Sequence, residues 1–449
     1  MKNNTLKKFN LSCILLAIIC SIAFQCRTLN SFSAHKAVKT SAELTGEDMV
    51  SPISIIVIQK DTLLSVPLDN TKKSHVLDKG GTFSRPLISP NRSLAAYLKN
   101  NDLYVSSNAY KPIKVSNKIS MFSFVWKDAD TLLYSPSDGG IYAYNVLSNT
   151  IKPYIKNEFI YENITLNNKG QLYAEKYRNY KKDGSDYRAD YGVVLLDPIT
   201  QTEKLLIKSI PSEIDTNGGL GMYPVIIRLS NDNKFLYIWK HPHSASMAAD
   251  GVEFSAYDIP NNELIEYKTP IVALPYSDNL SPNPINSRYS ALIYGEGREM
   301  SSNKNLVLLD VLTGSFTPLL NSNIAAMTPY FLKDGKTILY ASSKSQPSGS
   351  YNIEAWLSSG IHHIYSINTA SKKITMLTNN PDYFDFSPVL VNGAILFFRY
   401  DSKHTVSLWK LYNGEESLLA DSLLLYDDSY DMQNYYGHFS AELYTDIAR

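Results

Sequence analysis

Apolar and polar residues alternate along this chain in short runs broken by polar turns, a rhythm of strands rather than helices. The clearest passage is Phe83 to Asn117, FSRPLISPNRSLAAYLKNNDLYVSSNAYKPIKVSN. It divides into an apolar run, a tight turn at Ser89, Pro90, Asn91 and Arg92, a strand at Leu94 to Leu98, a second turn at Asn100 and Asn101, and two further strands. Pro90 presets φ for the first corner of a turn, Asn91 bonds its own backbone and tolerates a left-handed conformation, and the flanking β-branched and aromatic residues suit a pleated surface. The passage predicts one four-stranded antiparallel unit.

The unit returns along the chain. Turn residues Asn91, Asp128, Asn168, Asp232, Ser287, Asp334 and Asn392 mark seven copies at spacings of 37, 40, 64, 55, 47 and 58 residues. The two shortest match the roughly 40–45 residues of a propeller blade, and the others exceed it by loop-sized insertions. A single four-stranded unit cannot bury both faces, and repetition around an axis gives such units a core.

Two phrases, LISPNRSLAAYLKNNDLYV and YFLKDGKTILYASS, the latter followed by HHIYSINTASKKITMLT, resemble the WD40-like repeat of TolB-type β-propellers. In that family a Ser-Pro-Asp-Gly turn joins the first two strands of a blade. Here Ser89 and Pro90 keep its first half, and Asp334 and Gly335 keep its second. The resemblance covers about residues 83 to 420 and implies a fold rather than a function. No separate domain of the kind that precedes the propeller in TolB is evident, so a place in that transport system is not implied.

The expected fold is therefore all-β, a propeller of four-stranded antiparallel blades. Before the first full unit, SPISIIVIQ, DTLLSVPL and KSHVLD read as three strands, one short of a blade. The missing inner strand is expected from the other end, at Ser422 to Tyr426. Pairing of N- and C-terminal strands would then close the sheet edges that otherwise invite aggregation. This gives eight blades over residues 50–426, or seven if one weak unit is misread. The remainder, 427–449, is a tail expected to plug one end of the central channel or to lie across a face.

Before residue 50 the character changes. Lys2, Lys7 and Lys8 precede an apolar run of 14 residues, Leu11 to Phe24, too short for a comfortable permanent span, which predicts a signal peptide over 1–26. Ser21-Ile22-Ala23 fits a small-x-small cleavage site, whereas Ile22 to Cys26 resembles a relaxed lipoprotein box. All three cysteines (Cys13, Cys20, Cys26) lie in this segment, so no structural disulfide is expected in the fold, and lipidation gives Cys26 a use. Residues 27–49, polar and without an apolar period, read as a tether. The expectation is an exported, membrane-anchored lipoprotein facing the periplasm or cell surface, with a soluble exported protein as the alternative.

Lys plus Arg (43) balances Asp plus Glu (43), which leaves no basic excess for phosphate backbones and argues against nucleic-acid binding. The 32 tyrosines suit strands and equally suit binding surfaces.

The extra residues of the longer units fall between second and third strands: Asn179 to Gly192, His241 to Glu253, Gly295 to Lys304 and Lys344 to Ile361. Alternate connections of an up-and-down blade emerge on opposite faces, so these loops share one face with the blade-to-blade crossovers. A loop-rich face of a rigid scaffold is where binding residues concentrate. Candidates there are Tyr180, Asp183, Asp186, Tyr187, Asp190, His241, His243, Tyr351 and Trp356. His241 and His243, two apart, and the adjacent His362 and His363 would need a carboxylate from a neighbour to hold a metal, and the Asp cluster lacks calcium-loop spacing. No metal site is assigned. Gly-x-Ser-x-Gly, His-Glu-x-x-His and a Gly-rich phosphate loop are all missing, and no cofactor is expected. The reading is a binding or scaffolding module whose partner is an envelope protein, a peptide or a glycan. The competing class is a propeller-type enzyme, a lyase, lactonase or cyclase, with catalytic groups converging at the channel mouth.

Overall fold

The polar turns close hairpins by the means their residues suggest. Ser89 Oγ accepts the Leu94 N–H at 3.0 Å and Ser230 Oγ accepts that of Phe235 at 2.9 Å. Asp128 Oδ1 takes the Thr131 N–H at 2.8 Å, and Asp334 Oδ1 takes those of Lys336 and Thr337 at 2.9 Å each. A second punctuation runs in parallel with the first. Asn145, Asp197, Asp258, Asp310 and Asn368 each end a third strand and accept a backbone N–H two or three residues on. These Asx turns fold third strand onto fourth.

A computed structural model describes residues 52–211, 220–349, 362–401, 403, 405–425, 436–439 and 441–447. It separates residues 179–189 from the larger unit, 45–178 with 190–449. In the larger unit eight antiparallel sheets form a ring, seven of them with strands in the order of the chain from inside to outside: an eight-bladed β-propeller. The first blade, for example, is Phe83–Ile88, Ala95–Lys99, Asp102–Ser106 and Ile113–Ser116. The fourth gains a fifth strand, because Val252–Asp258 pairs with both Glu263–Ile265 and Ile271–Ala273.

Closure uses both ends of the chain, but not with the expected segment. The inner strand of the eighth blade is Thr445–Ile447, paired with Ile55–Gln59. Ser422 and Leu423 instead finish the outer strand of the seventh blade, Glu415–Leu423. The apolar run is consumed between blades: Leu423 and Leu425 are buried with Val57, Phe386, Leu408 and Phe439, and the Leu424 N–H donates to Ile58 O at 2.9 Å. The propeller thus includes a strand from the segment expected to be a tail.

Innermost strands are bulged. Register shifts fall at Ser84/Leu87, Glu162/Thr165, Ile226/Arg228, Met327/Tyr330 and Phe386/Val389. A bulge frees a backbone donor from the ladder, and the free edge of an innermost strand leaves others; neighbouring blades take up several of both. Ser387 N–H donates to Thr328 Oγ1 at 3.0 Å, Phe331 N–H to Ser281 Oγ at 2.9 Å, and Ile226 N–H to Glu175 Oε1 at 2.6 Å. Blade-to-blade packing is therefore apolar in bulk and polar at the axis.

Candidate functional site

Three insertions between second and third strands are tied to one another. In the fourth blade the chain leaves strand Phe235–Pro242, forms the short helix Ala245–Asp250 and returns as Val252–Asp258. Gly251, at φ 125°, makes the turn back, and a Cβ there would meet Val272 at 2.8 Å. Asp250 receives a two-pronged hydrogen bond from Arg298 of the fifth-blade insertion, at 2.7 and 2.8 Å, and its carbonyl accepts the Gly297 N–H at 2.6 Å. That insertion reaches the sixth in turn. Glu299 Oε2 accepts the Gly349 N–H at 3.0 Å, and Ser301 O accepts that of Gln346 at 2.8 Å.

Within the fifth insertion Lys304 is 1% exposed, and its ammonium donates to the carbonyls of Glu296, Gly297 and Ser302 at 3.1, 2.8 and 3.0 Å. Burial lowers its pKa to about 8. One side chain so fixes both ends of the loop.

The C-terminal segment crosses the same face. Tyr436 O accepts the Met300 N–H at 2.9 Å, and the His438 ring lies on Tyr276 at 3.5 Å and 2° with Nε2 3.0 Å from Asp278. Phe439 then packs on Phe386, 4.4 Å between centroids, before the short helix Ala441–Tyr444 leads into the closing strand.

His241 and His243 are brought together around Tyr223, each with its ring centroid 4.9 Å from the phenol ring. Burial lowers the His241 pKa, and the neighbouring His243 adds to it. Among the described residues no cluster of three His, Cys, Asp or Glu gathers to hold a metal. His362 is buried against Phe384, 3.8 Å between centroids, and His363 is half-buried with its pKa lowered by that burial.

The hairpin tip, residues 179–189, carries a stacked pair, Tyr180 and Tyr187, 5.7 Å apart and both exposed. Asp183 and Gly184 turn it, both at positive φ, and Asp186 lies 3.9 Å from Lys181. Asp190 is partly buried in the larger unit. Cys26, Tyr351 and Trp356 lie outside the described residues.

Sequence reasoning did not find the central cavity. It encloses about 470 Å³ and is lined by inner-strand residues of several blades together with the C-terminal helix. Arg85, Arg92 and Arg228 reach it, as do Asp278, Glu442 and Asp446. Each carboxylate accepts a hydrogen bond from the protein, Asp446 from the Ile88 N–H and Glu442 from the Ser277 hydroxyl, or, for Asp278, faces His438 Nε2. The legible signal was a dipeptide at the bulges: Arg85-Pro86, Thr328-Pro329 and Ser387-Pro388 stand at one place in their inner strands, and all three pairs line the cavity.

Neither a protein-family model nor a curated protein matches the sequence. Several solved structures are similar to parts of the chain at low identity. Dipeptidyl peptidase 4 of Porphyromonas gingivalis is similar over 87% of this chain and 62% of its own, at 10% identity and a TM-score of 0.49. A putative TolB of Agrobacterium tumefaciens is similar over 82% and 88%, at 12% identity and 0.33. Puromycin hydrolase is similar over 85% of this chain at 10% identity and 0.44, and the chain spans 55% of that protein's length.

Proposed function

We propose that this protein is a binding propeller of the bacterial cell envelope, exported and held at the membrane through a lipid on Cys26. Its interlocked insertion face meets an envelope protein, a peptide or a glycan. The observation that carries the reading is the linkage of the insertions. Long loops that had merely drifted would each be solvated by itself, whereas here the fourth, fifth and sixth insertions and the C-terminal segment share hydrogen bonds. Loops held by one another present a preorganised surface, which loses little entropy when a partner binds. The face also exposes apolar side chains: Met247 on the insertion helix, and Ile210 and Leu220 on the crossover into the fourth blade. Tyr223 between its two histidines adds an aromatic contact of the kind that anchors interfaces.

The enzyme reading asks for carboxylates or histidines presented to a substrate. The carboxylates of the central cavity are engaged by groups of the protein itself, which favours binding over proton transfer.

Localisation is tested by the intact mass of the N-terminal peptide of protein taken from membranes. A diacylglyceryl-type increment on Cys26, lost together with membrane association in Cys26→Ala, is expected. A free N-terminus at Phe24 would make it a soluble exported protein and overturn the anchor.

A further inference from the structure

We infer that the central cavity is a second binding site, for a small solute bearing an oxyanion, a carboxylate or a phosphate. It is independent of the insertion face.

The inference starts from two residues built alike. Arg85 and Ser387 each precede a proline, each sit in the bulge of an inner strand, and each adopt positive φ, 50° in both cases. Left-handed backbone is rare outside Gly, Asn and Asp, and it persists where the surrounding structure has a reason to hold it. Both residues line the cavity, and in both a buried polar atom is left over: Arg85 Nε and Ser387 Oγ have no hydrogen-bond partner among the described residues. A buried donor without an acceptor is costly, and a solute oxygen entering beside these two residues would supply one.

Position and charge narrow the class. The seventh blade supplies Ser387, the first supplies Arg85, and the closing strand Thr445–Ile447 of the eighth lies between them. Arg85 makes no ion pair with a described residue, and its guanidinium lies 5.6 Å from the centroid of Phe122. A planar cation in a lining that also carries a hydroxyl suits a carboxylate or a phosphate oxygen, and the three carboxylates of the same lining are already engaged by the protein. The volume, about 470 Å³, is that of a small-molecule site rather than a peptide groove. Thr328 explains why the ring is asymmetric: it has the same backbone, φ 49° before Pro329, but its hydroxyl already accepts the Ser387 N–H.

The test is titration calorimetry on the full mature chain with inorganic phosphate, citrate and glucuronate, with glucose and agmatine as uncharged and cationic controls. At least one oxyanion binds one-to-one, more weakly as salt rises, and the controls do not; the phosphate and carboxylate arms then say which source the site prefers. Arg85→Gln weakens that binding about 10-fold or more, and Ser387→Ala weakens it by a smaller factor. Arg85→Gly relieves the left-handed backbone, so its melting temperature equals or exceeds that of the parent while binding is lost. That variant keeps the test valid if Arg85→Gln folds poorly. No oxyanion binding up to about 10 mM, or binding unchanged in Arg85→Gly, would overturn the inference.

Discussion

At the scale of single residues, this propeller depends on a few polar groups buried where blades meet. Glu175 is the plainest, taking the Ile226 N–H of the next blade at 2.6 Å and Asn163 Nδ2 at 2.8 Å. Glu175→Ala leaves the buried Ile226 N–H and the part-buried Asn163 amide without their acceptor, and urea unfolding should show a loss of about 2–4 kcal/mol; a loss below about 0.5 kcal/mol would mean that water replaces the carboxylate. The tyrosines set the alkaline limit. Burial raises the phenol pKa of Tyr97, Tyr110, Tyr134, Tyr161, Tyr237, Tyr267 and Tyr340, and takes that of Tyr144 to about 12, from an ordinary value of 10.0. The folded chain keeps protons that the unfolded chain releases, so stability is full below pH 10 and falls above it. Lys304 acts in the opposite sense: its pKa, lowered from 10.5 to about 8, makes stability rise with pH between those values. One lysine precedes many tyrosines, and denaturation midpoints should rise slightly from pH 8 toward 10 and then drop steeply, with phenolate absorbance appearing as the protein unfolds. Most of this was hidden in the sequence. Nothing in the spacing of Glu175 or Lys304 says which carbonyl or amide they will meet, because the Ile226 amide comes from the next blade and the Lys304 carbonyls are gathered by the fold of their own loop.

At the scale of elements, the turns were the legible part. Ser89, Asp128, Ser230 and Asp334 perform the backbone bonding that their residue types suggest, and eight sheets result. The closing strand was not legible. Thr445-Asp446-Ile447 is three residues long, too short for alternation to show, while the apolar run at Leu423 to Leu425 is packed between blades instead. Closure by three residues has a consequence. Ile447→Asp puts a charge into a site 8% exposed beside Ile55, and should lower the melting temperature and expose the edge of Ile55–Gln59 to pairing between molecules. Size-exclusion chromatography would then show dimers or larger species, and an unchanged monomer would mean the ring is sealed without this strand. The insertions differ in kind. The solvent-exposed ion pair of Asp250 with Arg298 contributes little to global stability, so Asp250→Ala should leave the melting temperature within about 2 °C. It should nonetheless speed amide exchange across residues 295–304, and unchanged exchange would show that the insertions do not hold one another.

At the scale of the whole molecule, the two faces of the ring separate two jobs. First-to-second and third-to-fourth turns are short and self-capped by Asx and Ser side chains, whereas second-to-third loops carry the long insertions. The length and shared face of the insertions are the sequence's argument for a binding surface, and the hydrogen bonds among them are what the sequence could not show. The most direct test places a photo-crosslinking residue in living cells, in turn at Met247 on the insertion helix and at Asn91 and Asp334 on the turn-bearing face. The account predicts a discrete adduct from Met247, reduced in Asp250→Ala, and none from the two turns. Adducts from the turns with none from Met247 would contradict the claim that this propeller binds through its insertions.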